Sequence, residues 1–173
     1  KSPALQVAPE ARVAEAAKLM LKNHVHRVFI TRREKPEGVV STRDLMRAVR
    51  EKRLKTPISD IASGSVVKVK ADDPIALAVD RLELSNKHGL VVVEGDFPVG
   101  IFDQASALEA RRLPPHTAVE HAMDVRILIL PGEIGVGRAA EQALGMNVRR
   151  ILIENDVGVR QIVGGLDFAR VMG

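Results

Sequence analysis

The chain repeats itself, and the repetition limits the fold more than any other feature of its 173 residues. Offset by 62 positions, Val13 falls on Ile75, Ala16 on Ala78, Val28 on Leu90, Ile30 on Val92 and Gly38 on Gly100. Offset by 123, Val13, Ala16, Ala17, Val25, Val28 and Ile30 fall on Val136, Ala139, Ala140, Val148, Ile151 and Ile153. The first two copies align without a gap. The third is expected to carry three extra residues in the loop at 155–161, so that Gly164 meets Gly38. Three units follow: 1–55, 56–115 and 116–173.

Each unit reads the same way. A short extended segment (Ala4–Val7, Val66–Val69, Ile127–Leu130) leads into a turn. An amphipathic helix follows, apolar in the first copy at Val13, Ala16, Ala17 and Met20, the spacing of one helical face. Next come an apolar strand (RVFIT, GLVVV or RILIE), a turn bearing Gly or Pro, a second strand (GVV, GIF) and a second helix such as TRDLMRAVREK. The order β-α-β-β-α predicts an α/β (α+β) fold of small mixed sheets with helices packed on them. Continuous apolar runs predict strands buried on both faces. One unit of about 50 residues buries its sheet poorly, so the units are expected to pair sheet to sheet. TPISDIAS (56–63) and TAVEHAMD (117–124) read as short helical lead-ins to units 2 and 3, and nothing equivalent precedes Lys1. With Lys1 in place of Met, this suggests a processed product or a piece cut from a longer chain.

With no Trp, no Tyr and four Phe, the core must be aliphatic. Without Cys there is no disulfide, thiolate nucleophile or thiolate metal site, which fits a reducing cytoplasm. No window nears the roughly 18 apolar residues of a membrane span, and Pro3 and Pro9 break the only stretch placed like a signal peptide. The formal charge of +4 is modest, with short basic clusters at Arg32–Arg33 and Arg47–Lys55 and no aromatic stacking residues beside them.

The stretches VAEAAKLMLKNHVHRVFIT (13–31), GVVSTRDLM (38–46) and TPISDIAS resemble cystathionine-β-synthase (CBS) motifs, and three tandem copies cover essentially the whole chain. Phe29 stands where that family often has Pro, and Ala62 where Met is common. The resemblance implies pairs of units with ligand clefts between them. It further implies a regulatory role: binding an adenosine-containing ligand (AMP, ADP, ATP, S-adenosylmethionine, sometimes a dinucleotide) and changing the behaviour of an attached or partner protein. In the family pattern G-h-h-[ST]-x-x-D, with h aliphatic, the hydroxyl residue and the Asp contact the ligand, the Asp at the ribose; Gly38, Val39, Val40, Ser41 and Asp44 match it.

Ser41-Thr42-Arg43-Asp44 also reads as a capping box, with Asp44 reaching back to the Ser41 N–H. Asp103-Gln104-Ala105-Ser106 and Asp167-Phe168-Ala169-Arg170, taken as its counterparts, keep an N-cap residue and lose the acid three positions on. On that alignment the fold does not need the carboxylate and a ligand would. A carboxylate can accept two vicinal hydroxyls, helix N–H groups suit a phosphate, and Arg43 is a countercharge. Adenine would lie against Val25, His26, Arg27 and Val28. The candidate ligand residues are therefore Ser41, Thr42, Arg43, Asp44, Val25, His26, Arg27 and Val28, in one competent site made by unit 1 and its pairing partner. Ser106 is too short to replace the carboxylate, and Arg170 suits an anion better than a ribose.

GVGRAA (135–140) imitates a dinucleotide fingerprint, but Pro131-Gly132-Glu133-Ile134 separates it from the preceding apolar segment, and the repeat places it in a first helix. His24 and His26 lie at a helix-to-strand junction, His88 repeats the position of His26, and His116 and His121 sit in a lead-in, none with a metal-binding spacing. No nucleophile–base pair or paired carboxylates stand out, so the chain reads as a regulatory module rather than an enzyme. Two other readings stay open: a ligand-free structural dimerisation module, and a nucleic-acid-binding regulator using Arg47–Lys55. Either units 1 and 2 or units 2 and 3 pair, and the orphan sheet face predicts self-association, a homodimer in the simplest case.

Overall fold

The structure, a computed structural model, describes residues 4–85, 87 and 89–172. Unit 1 contains β1 (Gln6–Val7), α1 (Val13–Asn23), β2 (Arg27–Arg32), β3 (Lys35–Ser41) and α2 (Thr42–Glu51). Unit 2 adds β4 (Lys68–Lys70), α3 (Ile75–Ser85), β5 (Gly89–Glu94), β6 (Phe97–Asp103) and α4 (Gln104–Ala110). Unit 3 has β7 (Ile129–Pro131), α5 (Val136–Gly145), β8 (Arg150–Asn155) and β9 (Gly158–Gly164), and ends in a 3-10 segment, Asp167–Val171, where units 1 and 2 have α-helices. The lead-ins form single 3-10 turns, Ile58–Ile61 and Val119–His121. In each three-stranded sheet the first strand runs parallel to the second and the second antiparallel to the third.

Strand register corrects the alignment of the third unit. Val28 faces Val40, Leu90 faces Phe102 and Ile151 faces Val163, so all three hairpins have one length and no insertion. Gln161, not Gly164, holds the place of Gly38. Asp167 then holds the place of Asp44, and Arg170 that of Arg47. The Gly164-Gly165 pair imitated the strand glycine; the pairing of β8 with β9 decides against it.

The units join in two different ways. Units 2 and 3 pack sheet on sheet, with Val91, Val93 and Ile101 against Leu152, Val159 and Ile162. Units 1 and 3 pack through helices: α2 lies against α5, and α1 against Asp167–Val171. One core of Met20, Leu45, Val49, Ala139, Ala140 and Phe168 runs through both units. Unit 2 keeps a core of its own around Ala78, Leu82, Leu90 and Phe102. Of the two pairings expected from sequence, the sheets of units 2 and 3 realise one; the helical union of units 1 and 3 was not foreseen. The expectation of strands buried on both faces holds for β5 and fails for β2, which buries Val28 and exposes Phe29.

The lead-ins cross between the sheet-paired units. The one before unit 2 docks on unit 3, with the Ile58 N–H donating to Ile134 O at 2.9 Å and the Val136 N–H to Thr56 O at 2.8 Å. The one before unit 3 docks back on unit 2, where the Ile75 N–H donates to Thr117 O at 2.8 Å. This crossing explains the glycines of GVGRAA. A Cβ at Gly137 would meet Leu54 N and O at 3.1 Å, and one at Gly135 would meet Leu54 O at 3.2 Å. They admit a passing backbone, and no strand end delivers a dinucleotide there. Among the described residues, no helix is long and apolar enough to cross a membrane.

Candidate functional site

A cleft of about 830 Å³ opens where units 1 and 3 meet, with unit 2 at its edge. Its walls follow from the repeat. In units 1 and 3 a residue in the left-handed conformation follows the first helix, His24 (φ 51°) directly after α1 and Asn147 (φ 55°) one residue beyond the cap of α5. The chain then turns into Val25-His26-Arg27 and Val148-Arg149-Arg150, at equivalent places on the two sides. The starts of the second helices meet between these walls. Thr42 packs on its own counterpart Gly165, where an added Cβ would lie 2.5 Å from Thr42 Oγ1. Arg43 crosses from unit 1 to donate to Leu144 O in unit 3 at 3.4 Å. Unit 2 contributes Asp103, Gln104 and Ala105 from the start of α4.

The cleft is cationic. Arg27, Arg43, Arg149 and Arg150 line it against a single carboxylate, Asp103. Arg150 and Asp103 are both largely buried, their side chains 15% and 14% exposed, with 3.7 Å between Arg150 Nη2 and Asp103 Oδ2. Burial pushes the Arg150 guanidinium below its ordinary pKa, Asp103 and Asp167 oppose that, and Arg149 adds to it. Arg150 Nη1 also donates to Arg149 O at 3.2 Å. Asp103 is committed elsewhere too: its Oδ1 caps α4, accepting from the Ala105 N–H at 2.9 Å and the Ser106 N–H at 3.1 Å. Four guanidinium groups and one carboxylate line the cleft, with Asp167 a further acid acting on Arg150, and this predominantly positive lining suits an anion.

Six of the eight sequence-derived residues, Val25, His26, Arg27, Ser41, Thr42 and Arg43, line this cleft. Val28 does not: it is fully buried in the core and presents no side chain to the opening. Asp44 is not part of the wall. Its Oδ2 accepts from the Ser41 N–H at 2.9 Å and the Ser41 hydroxyl at 2.7 Å, and its Oδ1 pairs with Arg47. Asp167 repeats this arrangement, accepting from the Gly164 N–H at 2.7 Å with Arg170 Nη1 at 3.6 Å from its Oδ1. The acid is thus kept in two units of three, and only unit 2, with Ser106 in its place, starts its second helix without it. Arg170 is also engaged, donating to Ile61 O at 3.0 Å.

Sequence reading missed the far wall, Val148, Arg149, Arg150 and Gly165, together with Asp103 and Gln104. The signal was present, since an offset of 123 carries Val25, His26 and Arg27 onto the first three. Only the expectation that unit 1 pairs through its sheet hid it. His88 lies outside the described residues. Among the described residues, no three His, Asp or Glu side chains gather closely enough to hold a metal ion. Two cations of the basic segment Arg47–Lys55 lie beside acids: Arg47 pairs with Asp44, and Arg50 lies 3.8 Å from Glu51.

The family model for the CBS domain matches residues 1–51 and 58–113. No curated protein matches the chain. Among solved structures, an uncharacterized conserved protein from Pyrococcus horikoshii is similar over the whole chain and 80% of its own length, with 23% identity and a TM-score of 0.81. A Methanocaldococcus jannaschii protein, described as a candidate archaeal homologue of γ-AMPK, matches over the whole chain and 68% of its own length, with 15% identity and a TM-score of 0.80. A CBS domain pair in complex with 5′-methylthioadenosine and S-adenosyl-L-methionine matches 68% of this chain, with 22% identity and a TM-score of 0.60. At these identities the likeness establishes the fold.

Proposed function

Because the chain belongs to the CBS-domain family, whose domain pairs are regulatory ligand-binding modules, we propose that it senses a phosphate-bearing adenosine ligand in the cleft between units 1 and 3. One observation carries the choice of ligand: four guanidinium groups from two units face one carboxylate. Such a lining favours AMP, ADP or ATP over S-adenosylmethionine, whose sulfonium adds positive charge where it is already in excess. Solved relatives support the adenosine part, since a CBS domain pair was captured with two adenosine compounds.

In this reading the phosphates lie among Arg43, Arg149 and Arg150, and the base lies against Val25 and Val148 beside His26 and Arg27. The ribose reaches toward Ser41, Thr42 and Asp44. Three of the roughly four acceptor directions of the Asp44 carboxylate are already taken, so ribose binding displaces Arg47 or the Ser41 hydroxyl. In the same reading, regulation works through the ligand touching units 1 and 3 and competing with Asp103 of unit 2 for Arg150. Binding therefore favours one arrangement of the three units, by as much as the ligand discriminates between arrangements, about 1–3 kcal/mol in typical allosteric systems. The signal passes to a partner protein or to another part of a longer chain. The module is read as non-catalytic and cytoplasmic.

Calorimetry with adenosine, AMP, ADP, ATP and S-adenosylmethionine tests this. We expect the phosphorylated ligands to bind more tightly than adenosine. Arg149→Gln with Arg150→Gln should lower AMP affinity at least tenfold while leaving adenosine affinity within a factor of about two. No heat with any of the five would leave the ligand-free structural reading standing. Equal affinity for adenosine and AMP would remove the role given to the arginines.

A further inference from the structure

A second cavity, of about 740 Å³, opens at the other end of the helix pair that builds the cleft. The two helices run in opposite directions. Arg43 at the start of α2 reaches Leu144 O at the end of α5, while Arg50 and Glu51 at the end of α2 share this cavity with Arg138 at the start of α5. The linker that leaves α2 contributes Arg53 and Lys55, and the next turn of α5 contributes Glu141. Four cations thus face two carboxylates. Among the described residues, Arg53, Lys55 and Arg138 make no salt bridge, and Arg50 lies 3.8 Å from Glu51. Arg53 stands in the left-handed conformation, φ 49°, which a residue with a side chain disfavours. None of these residues lines the cleft between units 1 and 3.

The repeat shows that the fold does not ask for these charges. The backbone joint at the cavity joins the Val136 N–H to Thr56 O at 2.8 Å and the Gly137 N–H to Leu54 O at 3.0 Å. The molecule builds the same joint a second time, with the Ile75 N–H donating to Thr117 O at 2.8 Å and the Ala76 N–H to Pro115 O at 3.0 Å. There Pro114, His116 and Leu77 hold the places of Arg53, Lys55 and Arg138. At the cavity the Val136 and Gly137 N–H groups are taken by the linker, so side chains, not the helix terminus, supply the attraction for an anion. We infer that this cavity is a second anion site, separate from the cleft, that takes a small molecule bearing two or more phosphate groups. Arginine forks grip phosphate oxygens in pairs, and unpaired cations from a linker and a helix suit a ligand with more than one such group. A nucleic-acid strand fits the lining less well. Glu51 and Glu141 would face its phosphates, and no aromatic side chain lines the cavity to stack on a base.

Calorimetry with inorganic pyrophosphate on the intact chain tests this apart from the reading of the cleft. Arg53→Gln with Arg138→Gln should remove one pyrophosphate site from the wild-type chain, weakening it about tenfold or more. The same pair should remove the site that remains in a chain carrying Arg149→Gln and Arg150→Gln. Melting temperature should not change, because Arg53 and Arg138 are both exposed. Lys55→Gln, tested separately, should weaken binding in the same direction. Arg111→Gln with Arg112→Gln, exposed residues that line neither opening, should leave it unchanged. Pyrophosphate binding that ignores the Arg53 and Arg138 substitutions would overturn the inference and leave the cleft reading intact. Equal weakening by the Arg111 and Arg112 substitutions would overturn it as well, since the attraction would then be diffuse charge. A DNA oligonucleotide bound in preference to pyrophosphate, and lost with Arg53 and Arg138, would overturn the small-molecule assignment in favour of nucleic acid.

Discussion

Asp44 and Asp167 hold the same place in their repeats, yet 40% of the Asp44 side chain meets water and only 3% of the Asp167 side chain does. Both cap a backbone N–H and pair with an arginine three residues on. The buried one is thereby committed to structure, while the half-exposed one can exchange partners. Burial works against the charged form of Asp44, but the Ser41 hydroxyl, the Ser41 N–H and Arg47 outweigh it, and its pKa is lowered from 3.8. A carboxyl depressed on folding adds stability above its unfolded pKa and loses it as pH falls through the folded one. The melting-temperature gap between the wild type and Asp44→Asn should therefore be fully open above the ordinary value of 3.8 and narrow as pH falls below it; a gap independent of pH would refute the assignment. For Asp44→Ala, a cap alone predicts a loss of about 1 kcal/mol with nucleotide affinity retained. The ribose role predicts, in addition, at least a tenfold loss of adenosine affinity. Calorimetry on the variant separates the two.

At the scale of elements, the union of units 1 and 3 rests on α2 against α5 and on the short 3-10 segment that ends the fold. Phe168 from that segment is fully buried among residues of unit 1 as well as unit 3. Its replacement by Ala should cost about 3–5 kcal/mol in urea denaturation, and units 1 and 3 should lose structure together. A loss confined to unit 3 in hydrogen exchange would deny the shared core. Where the second helices meet, Gly165 accepts the side chain of Thr42. Gly165→Thr alone should destabilise by about 1–3 kcal/mol. Combined with Thr42→Gly, which moves the side chain to the other partner across the contact, it should recover most of that loss. Additive losses in this cycle would mean the two residues do not touch.

Across the whole molecule, the three units form a chain of two unlike joints, a sheet joint between units 2 and 3 and a helical joint between units 3 and 1. Unit 3 belongs to both joints, and unit 2 also reaches the cleft through Asp103, Gln104 and Ala105. Ligand in the cleft should raise the melting temperature as it saturates, by the equivalent of about 2.7 kcal/mol at one hundred times its dissociation constant. Because the attraction is to phosphate charge, that rise should shrink as salt increases from about 0.05 M to about 0.5 M for ATP, and hardly at all for adenosine. A salt-independent response to ATP would argue against the cationic cleft as its site.

Fold class, element order and the internal repeat were legible from the chain itself, because apolar spacing fixes helix or strand locally and is stated three times over. Six cleft residues were legible as well, since Val25–Arg27 and Ser41–Arg43 flank the strands that every unit must form. The hairpin of unit 3 was misread, because glycines at 164 and 165 imitate a strand signal that only cross-strand register overrules. The far wall of the cleft was out of reach for a different reason. Repeats have both a sheet face and a helical face to bury, and local pattern does not say which face of one unit meets which face of another. That choice is settled by packing across more than a hundred residues of sequence, as where Thr42 fits over Gly165, and it places Arg149 and Arg150 opposite His26 and Arg27.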